Sequence, residues 1–430
     1  MASIVIGSIP VHGHVTPLLA VARGFVERGD HVRFVTGSRF ADHVRDTGAS
    51  HIPLPPDADF DDRNLVERFP AREKLKGVKA IAFDFENVFT RPMKAQYDTL
   101  MATHAAQAAD AVLVDPVFIG GMIMVGHRRS TRPPVVICGV VPLPGPSRDI
   151  APFGMGLPPA RWGNRQRNAV LDAISRRILR TADGIGDDIY RQVHGRPLPS
   201  ALVDWTPLAD AYVQFTVPAF EYPRSDAPPT LHFAGPLHGK VSRAPLPDWW
   251  SDLDGTRPIV HVTQGTVANM DYCQVIAPTL EALANEDVLT VVSTGGRALD
   301  TLPPLPRNAR AATYLPYDEL LPRTSVYVTN GGYGGVQYAL RYGLPIVATG
   351  GKEDKPEVGA RVAWSGVGRR IRSEAPSPKS LRRNILAVLN RPRYREASKR
   401  IAADIAAAPG FAKLADLVDS LVNHQSDSHV

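Results

Sequence analysis

Short, uninterrupted runs of apolar and β-branched residues recur along this chain, separated by helix-length segments. They are SIVIG at 3–7, AVLVD at 111–115, PVVICG at 134–139, PIVHVT at 258–263, VLTVVS at 288–293 and SVYVT at 325–329. Strands covered on both faces read this way, because neither face meets solvent. The pattern predicts an α/β protein with doubly wound parallel sheets. At 430 residues the chain exceeds what one core fills, since single cores stop growing near roughly 250–300 residues. Two Rossmann-like halves follow. Residues 1–217 form the first, opening with a strand, a loop and a helix over Thr16–Gly29, and ending on a strand over Ala211–Thr216. Residues 218–247 carry Pro218, Pro223, Pro228, Pro229, Pro236, Pro245 and Pro247 and read as an interdomain linker. Residues 248–408 form the second half, and 409–430 a C-terminal helix packing back on the first.

Composition narrows the function. With 44% hydrophobic and 21% charged residues the chain is neither disordered nor fibrous. A net charge of +6 welcomes an anionic ligand. No dense basic run interleaved with aromatics appears, which argues against nucleic acid as a partner. Cys138 and Cys273 stand far apart, so neither a disulfide framework nor a metal knuckle is expected, and a reducing cytoplasm is. The first 22 residues have no basic leader, and Pro10, His12, His14 and Pro17 break their apolar run. No stretch approaches the roughly 18 apolar residues of an integral membrane segment.

In open α/β sheets ligands bind beyond the carboxyl ends of the strands, beside helix N-termini. The loop after the first strand places His12 and His14 before a helix, where a neutral imidazole can accept a proton. Asp115 ends the AVLVD strand. Its carboxylate either orients a histidine or caps the next helix; the sequence favours neither. The run Thr329–Gly335 has four glycines in five positions and opens a helix, so its N–H donors suit a diphosphate. It is neither a Walker loop nor a GxGxxG fingerprint. After the next strand, Asp354 is the group suited to sugar hydroxyls, while Glu353 and Glu357 read as solvated charges. Gln264-Gly265-Thr266 adds a hydroxyl and amides, and Tyr314-Leu315-Pro316-Tyr317 offers an aromatic for a base to stack on. Phe83, Phe85 and Phe89, with Phe153 in the aperiodic Pro142–Gly163 loop, are either core or the wall of an apolar pocket.

These motifs, in this order, resemble the nucleotide-sugar-dependent glycosyltransferases of the GT-B fold, on the bacterial macrolide-type branch of the UDP-glycosyltransferases. GHVTPLL at 13–19, FAGPL at 233–237 and the segment TYLPYDELLPRTSVYVTNGGYGGVQ…GGKEDKPEVGARVAWSGVG at 313–368 carry the resemblance. It implies His14 as general base with Asp115 as its partner. Tyr314 and Leu315 would meet the nucleobase. Thr266, Asn330, Gly332, Tyr333, Gly334 and Gly335 would hold the diphosphate, and Asp354 and Lys355 the donor sugar. His12, Phe83, Phe85, Phe89 and Phe153 would border the acceptor. Two departures stand out: Asn330-Gly331-Gly332 replaces the family's His-Gly-Gly, and Lys355 replaces its Gln.

The implied reaction is inverting transfer of a hexose from a UDP- or dTDP-sugar to a hydroxyl of a hydrophobic small molecule such as a macrolide, ansamycin or polyphenol. A glycolipid or sterol acceptor is the alternative, and a non-catalytic sugar-nucleotide-binding paralogue the alternative of another class. The resemblance implies no cofactor beyond the sugar nucleotide, no metal, and a monomer or homodimer.

Overall fold

The structure, a computed structural model, describes residues 1–237, 244–266 and 269–427. Thirteen strands among these residues form two sheets. The first holds β1 (Ser3–Gly7), β2 (His31–Thr36), β3 (Ser50–Pro53), β4 (Ala111–Val114), β5 (Val135–Gly139), β6 (Ala211–Gln214) and β7 (Leu231–Phe233). The second holds β8 (Ile259–Thr263), β9 (Leu289–Ser293), β10 (Ala309–Ala312), β11 (Val326–Thr329), β12 (Ile346–Ala348) and β13 (Gly368–Arg370).

Their orders are β3-β2-β1-β4-β5-β6-β7 and β10-β9-β8-β11-β12-β13. All neighbouring strands run parallel. Both orders reverse beside their first strand, between β1 and β4 and between β8 and β11. At such a reversal the loops diverge to opposite faces and leave a crevice at the carboxyl edge. The histidine loop and Asp115 sit at the first crevice, and the Thr266 and Gly331–Gly335 loops at the second.

Several elements depart from the sequence pattern. The first helix spans His12–Arg28, four residues earlier than expected, because the amides of His14 and Val15 both donate to the Val11 carbonyl at 2.9 Å. Both histidines therefore stand in its first turn, and Pro17 lies deeper inside it. Ala211–Gln214 is not the last strand of the first sheet. Leu231–Phe233, within the stretch read as a linker, pairs with it as β7. Before that strand, Val217 and Phe220 plug into the apolar core of the second half beside Leu321 and Tyr327. The chain thus crosses between the halves more than once. The part of the 218–247 stretch at 238–243 lies outside the described residues.

A last crossing is made by the helix Phe411–Asp427. Leu414, Ala415 and Val418 join the core over β1 and the helix His12–Arg28. Phe411 meets Phe25 edge to face, ring centroids 4.9 Å apart. Among the described residues no helix is long and apolar enough to cross a membrane.

Candidate active site

A cavity of about 1640 Å³ lies between the two carboxyl edges. His12, His14, Phe85, Phe89 and Phe153 face it from the first half. Thr266, Tyr314, Leu315, Asn330, Gly332, Tyr333, Gly334 and Gly335 face it from the second, with Asp354 and Lys355. Phe83 is not on its wall. It packs edge to face on Phe69, with centroids 6.1 Å apart, so of the three aromatics in that stretch only Phe85 and Phe89 reach the cavity.

Asp115 stands behind His14 and is fully buried. Its Oδ1 lies 3.3 Å from His14 Nδ1 and accepts the amides of Val117 (2.8 Å) and Phe118 (3.0 Å). Its Oδ2 accepts Ser8 Oγ (3.1 Å) and the Ile9 amide (2.9 Å). The carboxylate therefore caps the turn after β4, ties down the loop after β1 and faces the imidazole. The capping use that the sequence left open is made, and the same carboxylate lies beside His14. His14 keeps 15% of its side chain exposed, toward the cavity. Its contact with Asp115 is at ion-pair distance without the alignment of a hydrogen bond. Catalytic contacts are commonly loose until substrate binds.

His12 is a different kind of histidine. Burial first, then the nearby charges of Arg39 and His43, hold its ring down to about 4. It is uncharged at neutral pH. Its backbone amide donates to Asp62 Oδ2 at 2.7 Å, which fastens the helix start.

The glycine run divides by what each residue does. Gly331 has φ +95, a backbone that side chains resist. An added Cβ at Gly335 would approach Tyr327 Oη to 2.8 Å, so protein packing accounts for it. Gly332 and Gly334 have ordinary φ, and a Cβ there would meet no protein atom within 4 Å. Neither conformation nor packing demands glycine at these two positions; open cavity lies beside them. Gly332 precedes the helix Tyr333–Arg341, whose first N–H groups have no helical acceptor and whose first turn lines the cavity.

Neighbouring side chains are committed to holding the loops. Asn330 is buried, and its Nδ2 donates to the Gln264 carbonyl at 2.8 Å, joining the loops after β11 and β8. Gln264 in turn caps the next helix through the amides of Val275 and Ile276. Tyr333 Oη accepts Gln214 Nε2 at 2.9 Å, and Thr216 Oγ1 donates to Gln337 at 3.0 Å. These bonds run between the halves. Tyr314 is 56% exposed, leaving a ring face free beside buried Leu315.

Asp354 precedes the helix Lys355–Trp364, and its carboxylate makes no capping bond there. Burial, assisted by Glu353, raises its carboxyl from 3.8 to about 6, with Lys355 and His14 pulling the other way. Glu353 stays 56% exposed, the solvated charge that the sequence suggests. It holds φ +57, the one positive-φ residue other than glycine among the described residues, and pairs with buried Lys355. Partial desolvation at the cavity rim would raise its carboxyl, but Lys355, Arg72 and Lys352 keep it below the ordinary range.

Glu357, by contrast, is not a solvated charge. It is 5% exposed, pairs with Arg361 at 2.8 Å, and accepts the Gly156 amide at 2.6 Å. Arg361 also pairs with Glu221 at 2.7 Å, and Glu221 accepts the Leu143 amide at 3.0 Å. This buried cluster pins the Pro142–Gly163 loop of the first half to the helix that starts beside Asp354. Sequence reasoning missed it because its members are scattered along the chain. It also missed the helix Asn164–His194 as a cavity wall, whose signal was Ile174 and Ile178 four residues apart in a charged helix. Among the described residues no three His, Cys, Asp or Glu side chains are placed to hold a metal ion.

Residues 277–421 match the family described as erythromycin biosynthesis protein CIII-like, C-terminal domain. The chain is 38% identical over 429 residues to 4'-demethylrebeccamycin synthase of Lentzea aerocolonigenes, covering 98% of this chain and 100% of that protein. It is 32% identical to UDP-glycosyltransferase 2 of Phaeomoniella chlamydospora, covering 97% and 95%. The solved glycotransferase of kitacinnamycin superposes with a TM-score of 0.72 at 19% identity, covering 98% of each chain. With its two facing Rossmann-type sheets and these relatives over its whole length, the chain belongs to the GT-B glycosyltransferases, on the bacterial macrolide-type branch of the UDP-glycosyltransferase superfamily.

Proposed function

We propose that this glycosyltransferase transfers a hexose, with inversion, from a UDP- or dTDP-sugar to a hydroxyl of a hydrophobic natural product in the cytoplasm. The observation that carries the reading is one juxtaposition. His14, backed by Asp115, faces across a single cavity the open space at Gly332 and Gly334.

In this reading the diphosphate lies against the first amides of the helix Tyr333–Arg341, where N–H donors and the helix dipole favour negative charge. Tyr314 stacks on the base, and Asp354 accepts hydrogen bonds from sugar hydroxyls. His14 Nε2 takes the proton as the acceptor oxygen bonds to the anomeric carbon, and the bond from that carbon to the diphosphate oxygen breaks. The electron pair leaves with the diphosphate, onto the same amides. Asp115 keeps the Nδ1 proton of His14 directed at itself and stabilises the imidazolium that forms. General-base help of this kind contributes about 10²–10⁴ in rate, and preorganised donors at a developing anion contribute comparably. No step calls on a metal.

An apolar acceptor is supported by the walls contributed by Phe85, Phe89, Ile150 and Phe153. That the Lentzea relative is named as a synthase of 4'-demethylrebeccamycin supports a natural product. Purified protein incubated with hydrophobic hydroxyl compounds and UDP- or dTDP-hexoses, read by mass spectrometry, tests the reading. One hexose added to an acceptor is expected. Tight sugar-nucleotide binding with neither transfer nor donor hydrolysis would instead make the chain a non-catalytic paralogue.

A further inference from the structure

Charge is concentrated in two short segments. Residues 68–81 hold five Lys or Arg and one acid, and residues 161–180 hold six and one, a net +9 where the whole chain carries +6. The rest of the protein is therefore net negative. The diphosphate site contributes little to this excess, since the glycine run itself carries no cation.

The same segments carry large apolar side chains that the fold leaves in solvent. Val78 is 54% exposed, Ile81 48%, Trp162 82%, Val170 61% and Ile174 47%. The segments adjoin: the helix Val78–Asp84 and the turn that follows it pack against the helix Asn164–His194. Val78, Ile81 and Ile174 stand at the lip of the cavity. Trp162 and Val170 do not line it, so an acceptor inside leaves them unexplained. Around them Lys74, Lys76, Lys79, Arg161, Arg177 and Arg180 are exposed and form no ion pair among the described residues.

An exposed tryptophan with aliphatic neighbours, ringed by Lys and Arg, suits the boundary between headgroups and acyl chains of an anionic bilayer. Each cation near such a surface adds attraction, and the apolar groups gain a non-aqueous medium. An acidic protein would satisfy the cations and leave Trp162 and Val170 without an apolar partner. We propose that residues 68–81 and 161–180 dock the mouth of the cavity on an anionic lipid bilayer, so that an apolar acceptor dissolved there enters without crossing bulk water. The docking stands on its own; the route of the acceptor rests on the function proposed above.

Co-sedimentation with phosphatidylcholine vesicles, with and without phosphatidylglycerol, tests the docking in the absence of donor and acceptor. The full chain is expected to bind the phosphatidylglycerol vesicles and release them as salt shortens the screening length. K76E/K79E is expected to weaken that binding by about tenfold or more. W162S/V170S is expected to weaken it severalfold. Both variants should turn over a water-soluble acceptor as the parent does, which also shows that they fold. No binding to phosphatidylglycerol vesicles at low salt would overturn the proposal, as would binding that both variants leave unchanged. Binding lost in K76E/K79E but intact in W162S/V170S would also overturn it and reassign the face to an acidic macromolecule. Vesicle binding is read without catalysis, so its failure leaves the transferase reading standing, and the reverse holds too.

Discussion

Asp115 Oδ1 lies 3.3 Å from His14 Nδ1, and the same oxygen accepts the amides of Val117 and Phe118. One carboxylate thus ties down the loop and lies beside the imidazole. Asp115→Asn keeps the shape and removes the charge. We expect kcat to fall by about 10²–10⁴ with donor KM little changed. Asp115→Ala also strips partners from buried amides, and its thermal unfolding should show a further loss of about 3 kcal/mol. Equal kcat in parent and Asn variant would reduce Asp115 to a capping residue.

Asp354 links stability to function in opposite senses. Its carboxyl rises from 3.8 to about 6 on folding, chiefly through burial. A raised carboxyl pKa means that the folded protein binds the proton more tightly. Ionisation therefore costs stability, increasingly from about pH 4 to 6 and fully above. Asp354→Asn should raise Tm at pH 7, gain nothing at pH 3.5, and weaken donor binding. Donor KM of the parent should climb as pH falls through about 6, and that limb should vanish in the variant. An unchanged limb would move the titration to another group.

The glycines separate ligand from packing. At Gly334, alanine has room and ordinary φ. It should stabilise the helix by about 0.5–1 kcal/mol yet raise donor KM at least about tenfold, by crowding the diphosphate. At Gly335, alanine meets Tyr327 Oη at 2.8 Å and should lower Tm. Calorimetric melting with donor titration checks both. A Gly334→Ala variant that binds donor normally would place the diphosphate elsewhere.

Arg361, 1% exposed, pairs with Glu221 and Glu357 and lies 4.3 Å from the Tyr222 ring centroid. Arg361→Met leaves two buried carboxylates without their cation. The expected cost in denaturant unfolding is about 3–5 kcal/mol, as for other broken buried pairs. A change under about 1 kcal/mol would mean that water or a shifted loop replaces the arginine.

Strands such as IVHVT and LTVVS were legible in the sequence because parallel strands, buried on both faces, cannot hide their composition. β7 and β13 were not. LHF and GRR are three-residue edge strands, half polar and flanked by turns, which no periodicity marks. The helix start at His12 escaped because Val11 precedes it with no side-chain cap to signal it. The glycine run, the paired histidines and Asp354 stood out because their residue types are costly or unusual at strand ends. Phe83 could not be told from Phe85 and Phe89, since only packing on Phe69 turns it away. The contacts of Glu357 with Arg361, Glu221 and Gly156 depend on bringing distant segments together, which one-dimensional spacing does not record.

The most direct measurement is steady-state transfer by His14→Ala alongside calorimetric donor binding by the same variant. With His14 as the base and the donor held by the second half, kcat should fall by about 10²–10⁴ while donor Kd stays within about twofold of the parent. Turnover near that of the parent would contradict the account at its centre.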